Sequence, residues 1–147
     1  MYRNYDGARS SFGDLSVSAS GPNPDVVSSF AALRSSDNAL TIMVVSKALS
    51  GNTPVTVNLA GFAAGSAAQA WQLDAGNTIR RLADVPVSGS SFSQGVPAQS
   101  ITLYVVPAGG GKIRKPRRRP GDMLSAGTAV SAPESVQRPQ SAPAQLR

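Results

Sequence analysis

The apolar residues of this chain come in short bursts, each closed by turn-forming residues, and no window of twelve or more residues carries them at helical spacing between caps. Such a pattern belongs to β-structure. Ala39-Leu-Thr-Ile-Met-Val-Val-Ser46 is nearly all apolar, as expected of a strand covered on both faces. Val55, Val57 and Leu59 alternate with Thr56, Asn58 and Ala60, the period-2 pattern of a half-buried strand. Within Gln99–Val106, Ile101, Leu103 and Val105 face one way and Thr102, Tyr104 and Val106 the other. Val27–Arg34, Ala67–Leu73 and Thr78–Leu82 read as further strands, although Val26–Leu33 fits a short helix about as well as a strand. Ser35-Ser-Asp-Asn38, Ser50-Gly-Asn52, Gly61 to Gly65 and Asp74-Ala-Gly-Asn77 supply the breaks. Seven or eight short strands at this spacing predict an all-β chain, an antiparallel β-sandwich.

Composition divides the chain near Pro107–Gly111. Of the large apolar residues (V, I, L, M, F, W, Y), 33 lie in residues 1–107 and 6 in residues 108–147. Six basic residues balance six aspartates in the first part, so the net charge of +6 belongs to the second, where eight basic residues meet only Asp122 and Glu134. A core can form in residues 1–107. In residues 108–147 too little apolar area is available to offset chain entropy, which predicts a disordered tail rich in Arg, Pro, Ser and Ala. No run approaches the roughly 18 apolar residues of a membrane span, and the N-terminus lacks the charged and apolar regions of a secretory signal. No membrane partner is expected.

Little catalytic chemistry is available. The chain has no Cys and no His, and Glu134 is its one glutamate. Disulfides, thiolate metal sites, Cys nucleophiles and the commonest general base are thereby excluded, and no metal or cofactor is expected. The six aspartates of the body (Asp6, Asp14, Asp25, Asp37, Asp74 and Asp84) mostly adjoin Gly, Asn or Ser. That is the setting of turn carboxylates bonding their own backbone.

Three segments carry a family resemblance. They are Met1-Tyr-Arg-Asn-Tyr-Asp-Gly7 with Phe12-Gly-Asp-Leu-Ser-Val17, then Ala31-Ala-Leu-Arg-Ser-Ser-Asp-Asn-Ala-Leu-Thr-Ile-Met-Val-Val-Ser-Lys47, then Pro97-Ala-Gln-Ser-Ile-Thr-Leu-Tyr-Val-Val106. In this order they resemble the C-terminal β-sandwich of glycoside hydrolase family 44, the endoglucanases and xyloglucanases; a related sandwich occurs in arabinofuranosidases of family 51. The resemblance spans about residues 1–107, with residues 1–7 as the lead-in from a barrel. It implies an accessory, non-catalytic role: the sandwich packs in cis against a catalytic (β/α)8 barrel that this sequence does not contain. Retaining hydrolysis in such a barrel uses two glutamates about 5–5.5 Å apart; neither carries over, because residues 1–107 contain no glutamate. The resemblance further implies a secreted parent, a sandwich completed by chain from the parent's own N-terminus, an unpaired strand edge and an apolar docking face. On this reading Met1 is an internal methionine or the edge of a truncated gene.

The sequence leaves two other functions open. An independent carbohydrate-binding module would take β-glucan on aromatic rings, and Trp71 and Tyr104 are the candidates, although Trp71, flanked by alanines, also suits the core. A weak nucleic-acid site would use Lys112, Arg114, Lys115, Arg117, Arg118 and Arg119, which could neutralise phosphates non-specifically. No aromatic residue occurs in 108–147 to stack a base, so such binding is expected to be incidental. The tail's composition is also what GC-rich DNA yields when read out of frame, an expectation for the gene rather than the fold. Gly109-Gly-Gly111 before Lys112 lacks the spacing and following helix of a phosphate loop.

Overall fold

The computed structural model describes residues 1–110 and the strand Gly127–Ser131. Ten strands follow in order: β1 Leu15–Ser20, β2 Val27–Arg34, β3 Ala39–Ser46, β4 Asn52–Leu59, β5 Ala67–Leu73, β6 Ile79–Arg81, β7 Val85–Pro86, β8 Ser91–Pro97, β9 Ser100–Val106 and β10 Gly127–Ser131. The architecture is all-β, as expected. Four strands do not stand out individually in the sequence, and one of them, β10, falls in the stretch expected to be a disordered tail. β1 alternates Leu15, Val17 and Ala19 with serines but buries little, β7 is two residues long, and β8 carries only Phe92 and Val96 on its core face.

Turn chemistry sets the boundaries. Asp37 Oδ1 accepts the Ala39 amide at 3.1 Å, and Asn38 adopts a left-handed φ of 57° between β2 and β3. Asp74 Oδ1 accepts the Gly76 amide at 3.0 Å, and Asn77 (φ 52°) closes the turn into β6. Gln99, expected to begin the last strand of the body, instead sits in the turn before it with φ 50°.

Two sheets enclose the core. The first runs β6-β5-β9-β3-β2-β1, all antiparallel, with β7 paired to the start of β5. The second runs β1-β10-β4-β8. β1 belongs to both: Leu15–Val17 pair with β2, while Ser18–Ser20 pair in parallel with β10. Between the sheets, Leu40, Ile42, Val44, Tyr104 and Val106 meet Val55, Val57, Leu59, Phe92 and Val96. The alternation read in β4 and β9 is the one that forms, and β3 is buried on both faces. β10 lies within the stretch read as a tail; residues 111–126 and 132–147 lie outside the described residues.

Candidate functional site

β3 and β9 are buried on both faces because a second apolar cluster lies on the outer face of the first sheet. Ala32, Ala39, Met43, Leu103 and Val105 are buried there with Tyr5 and Phe12 of the N-terminal segment 1–14, and Met1, Val45, Trp71, Ile79 and Ile101 pack half-buried around them. The strand registers lay these residues in rows. One row runs Phe30, Met43, Leu103, Trp71 and Arg81; the next runs Ser28, Val45, Ile101, Leu73 and Ile79. Residues 1–14 cover one end of this face, leaving the other open.

Specific bonds hold the N-terminal segment 1–14 down. Thr41, fully buried, directs its hydroxyl at the carbonyl oxygens of Phe12 and Ala32. Arg34 donates to the Tyr5 hydroxyl at 2.9 Å, to the Ser11 carbonyl at 3.1 Å and to Asp37 at 2.6 and 2.9 Å. Hydrogen bonding to Asp37 keeps the Arg34 guanidinium protonated beyond its ordinary range, and Arg34 in turn holds the Asp37 carboxyl below the usual carboxylate value. Asp14 receives the Ser35 amide at 2.7 Å and the Ser35 hydroxyl, which lower its pKa. Gly13 is required by close approach: a Cβ there would stand 2.8 Å from Ala32 Cβ and 3.1 Å from the Leu33 carbonyl oxygen.

The uncovered part is an apolar surface. Phe30 is 49% exposed at the β2 end of its row, and Val45, Leu73, Ile79 and Ile101 are each only partly covered. Beside Phe30, an open groove is lined by Tyr2, Phe12, Asp14 and Ser16. The family resemblance implies an apolar docking face, without naming its residues. The signal was there in the odd positions of β3 and β9 and the even positions of β2, but only the sheet order shows that these sets lie side by side.

The proposed sugar-stacking rings fare differently. Tyr104 has no exposed surface: it lies between the sheets, its ring 4.9 Å from that of Phe92 in an edge-to-face contact. This corrects its candidacy, because the even positions of β9 face the core and Tyr104 is one of them. Its hydroxyl has no hydrogen-bond partner among the described residues, and burial pushes the phenol pKa above its ordinary value. Trp71 lies on the outer face, half-buried, with the Tyr5 ring 5.5 Å away and the Arg81 guanidinium 5.4 Å above its ring. A sugar would have to displace one of these neighbours to stack on it. The two residues point to opposite faces of the first sheet and form no common site. Lys112, Arg114, Lys115, Arg117, Arg118 and Arg119 lie outside the described residues.

Asp6, Asp37 and Asp74 behave as turn residues. Asp6 Oδ1 accepts the amides of Ala8 (2.9 Å) and Ser10 (3.2 Å), and its pKa is lowered chiefly by the Ser10 side chain. Asp74 and Asp84 pair with Arg80 and Arg81. Among the described residues no three potential metal ligands cluster.

No family model matches the sequence, and no curated protein does. Solved structures do. A bifunctional glucanase-xylanase from a metagenome library is 61% identical, with a TM-score of 0.70 over 74% of this chain and 21% of its own. A xyloglucanase of glycoside hydrolase family 44 from Paenibacillus polymyxa is 28% identical, with a TM-score of 0.67 over 73% of this chain and 21% of its own. A family 44 endoglucanase from Clostridium acetobutylium, 24% identical with a TM-score of 0.65, shares the fold over 72% of this chain. The chain thus spans about a fifth of the length of the enzymes it matches.

Proposed function

This chain belongs to glycoside hydrolase family 44, as the family's C-terminal β-sandwich domain, and from that premise we propose that it is a non-catalytic accessory domain. Its outer sheet face packs against a catalytic (β/α)8 barrel in cis and stabilises it. The observation that carries this reading is the uncovered half of the outer face, where Phe30, Val45, Ile101, Leu73 and Ile79 form adjacent apolar rows. An exposed apolar patch rimmed by polar residues is the mark of an interaction surface. The role of the polypeptide is then structural, and the cleavage of β-glucan resides in the barrel's carboxylates. Family 44 enzymes are generally secreted, so the proposal places the working protein outside the cell.

Hydrolysis by the purified chain is the direct test. Carboxymethylcellulose and xyloglucan should release no more reducing sugar with the chain than with a mock preparation; release above that level would overturn the non-catalytic reading. The independent sugar-binding alternative is tested by electrophoresis through gels containing xyloglucan. Unretarded migration is expected, because Tyr104 is enclosed and Trp71 already carries Tyr5 and Arg81.

A further inference from the structure

Residues 1–107 carry six cations, and four of them are engaged within the fold. Arg34, Arg80 and Arg81 pair with Asp37, Asp74 and Asp84, and Lys47 donates to the Pro24 carbonyl at 2.7 Å. Arg3 and Arg9 form no ion pair among the described residues. Asp6 stands three residues from each and could neutralise one of them. Its Oδ1 instead accepts the amides of Ala8 at 2.9 Å and Ser10 at 3.2 Å, inside the loop.

Both arginines line one open groove of about 560 Å³, together with Asn4 and Ser11. Asn4 Oδ1 accepts the Arg9 amide at 2.8 Å, which leaves the donor end of its side chain for a ligand. Each of the four residues thus offers a donor, and none is a carboxylate. The loop that carries them is pinned: Arg3 bridges Ser11, and the Asn4 amide donates to the Ser10 carbonyl at 2.7 Å. Arg9 holds a left-handed φ of 67°, where an arginine is strained and a glycine is not; the same loop places a glycine at Gly7, with φ 76°. Backbone strain of this kind is concentrated at ligand clamps. Pleating sets the direction of the groove. Phe12 is buried on the outer face of the first sheet, and Tyr2 meets its ring edge to face at 5.0 Å. The neighbouring pair, Arg3 and Ser11, therefore points away from that sheet. The uncovered apolar rows face the same way.

We propose, on the reading that the outer face docks a barrel, that Arg3, Asn4, Arg9 and Ser11 form a carboxylate-binding site for acidic side chains of that barrel. A guanidinium meets a carboxylate through two parallel N–H···O bonds, so it fixes orientation as well as charge. The apolar rows then supply contact area, while the two arginines at the rim set the register in which the domains meet.

The test uses the 61%-identical glucanase-xylanase with this whole chain in place of its matching domain, and the isolated chain beside it. Each is made unaltered and as Arg3→Gln/Arg9→Gln. At about 10 mM ionic strength, where screening extends over ~30 Å, the double variant of the chimera should melt at least about 2 °C below the unaltered chimera. The difference should close near 1 M salt, where the Debye length is ~3 Å. In the isolated chain the same changes should leave the melt where it was. Equal melts of the two chimeras at low salt would overturn the proposal, and so would an equal loss in the isolated chain, which would make the arginines structural. Phe30→Glu in the same chimera separates the two readings. If it lowers the melt while the arginine changes do not, the carboxylate site alone fails; if neither does, the docking face fails with it. Saturable binding of sodium glucuronate to the isolated chain, lost in the double variant, would overturn the barrel assignment and give the site to an acidic glycan.

Discussion

Replacing Tyr104 by Phe should stabilise the domain. Tyr104 is fully buried between the sheets, and its hydroxyl finds no partner among the described residues. Burying a hydroxyl without a hydrogen bond costs about 1–3 kcal/mol on the scale of protein mutations. Phe removes that cost while keeping the ring that meets Phe92 at 4.9 Å. The space left by one oxygen gives back a few tenths of a kcal/mol, so a net gain of about 1 kcal/mol is expected. For a body of this size that is a rise in Tm of about 4 °C or more. The same residue sets a signature in alkali. Its folded pKa is raised by burial, so above about pH 10 the unfolded chain releases the phenolic proton while the folded chain keeps it. Stability therefore falls as pH rises through the unfolded value, and Tyr104→Phe lacks this component. Thermal and denaturant melts at pH 8 and pH 10.5 measure both effects. A variant that melts below the unaltered protein at pH 8 would refute the reasoning and show that the hydroxyl is hydrogen-bonded.

Gly13→Ala should destabilise by about 1–3 kcal/mol, because the new methyl meets Ala32 Cβ at 2.8 Å and the backbone of Leu33 at 3.1 Å, neither of which yields easily; a denaturant melt matching the unaltered protein would count against the packing of segment 1–14. Stability should also fall in acid. The pKa values of Asp6, Asp14 and Asp37 are lowered in the fold, so their contribution is present above the unfolded value near 3.9 and is lost as pH drops through the folded values. Asp37→Asn should flatten part of that loss in melts between pH 5 and pH 2, and an unchanged slope would contradict its pairing with Arg34.

The sequence made the core strands easy to recognise. Leu40, Ile42 and Val44 stand among further apolar residues in one unbroken run, and Val55, Val57 and Leu59 alternate cleanly, so burial alone identifies both strands. β1 and β8 escaped because serine, glycine and alanine fill most of their positions, and pairing to neighbours rather than their own apolar content places them. The outer face was only half legible. Alternation in β9 puts Ile101 opposite in sense to Tyr104, but which side is core and which is surface depends on the partner sheet. For that reason Tyr104, a plausible surface ring in sequence, is interior, while Phe30 is exposed and Val45 half-buried on the outer face. The asparagines and aspartates were readable at once, since an Asx turn is a local matter between a side chain and an amide two residues on.

Charging the outer face inside a complete enzyme tests the accessory role most directly. Residues 1–107 would replace the matching domain of the 61%-identical glucanase-xylanase, with and without Phe30→Glu/Val45→Glu. In the isolated chain the exposed Phe30 should tolerate the change within about 1 kcal/mol and the half-buried Val45 costs more, so each chimera is compared with the isolated chain carrying the same changes. Against a barrel the two carboxylates would be buried without partners, at a cost of several kcal/mol. The account predicts one cooperative melt and full hydrolysis for the unaltered chimera, and a lower or split transition for the charged one. Identical melts for the two chimeras would contradict it, and would place the contact with the barrel on another face.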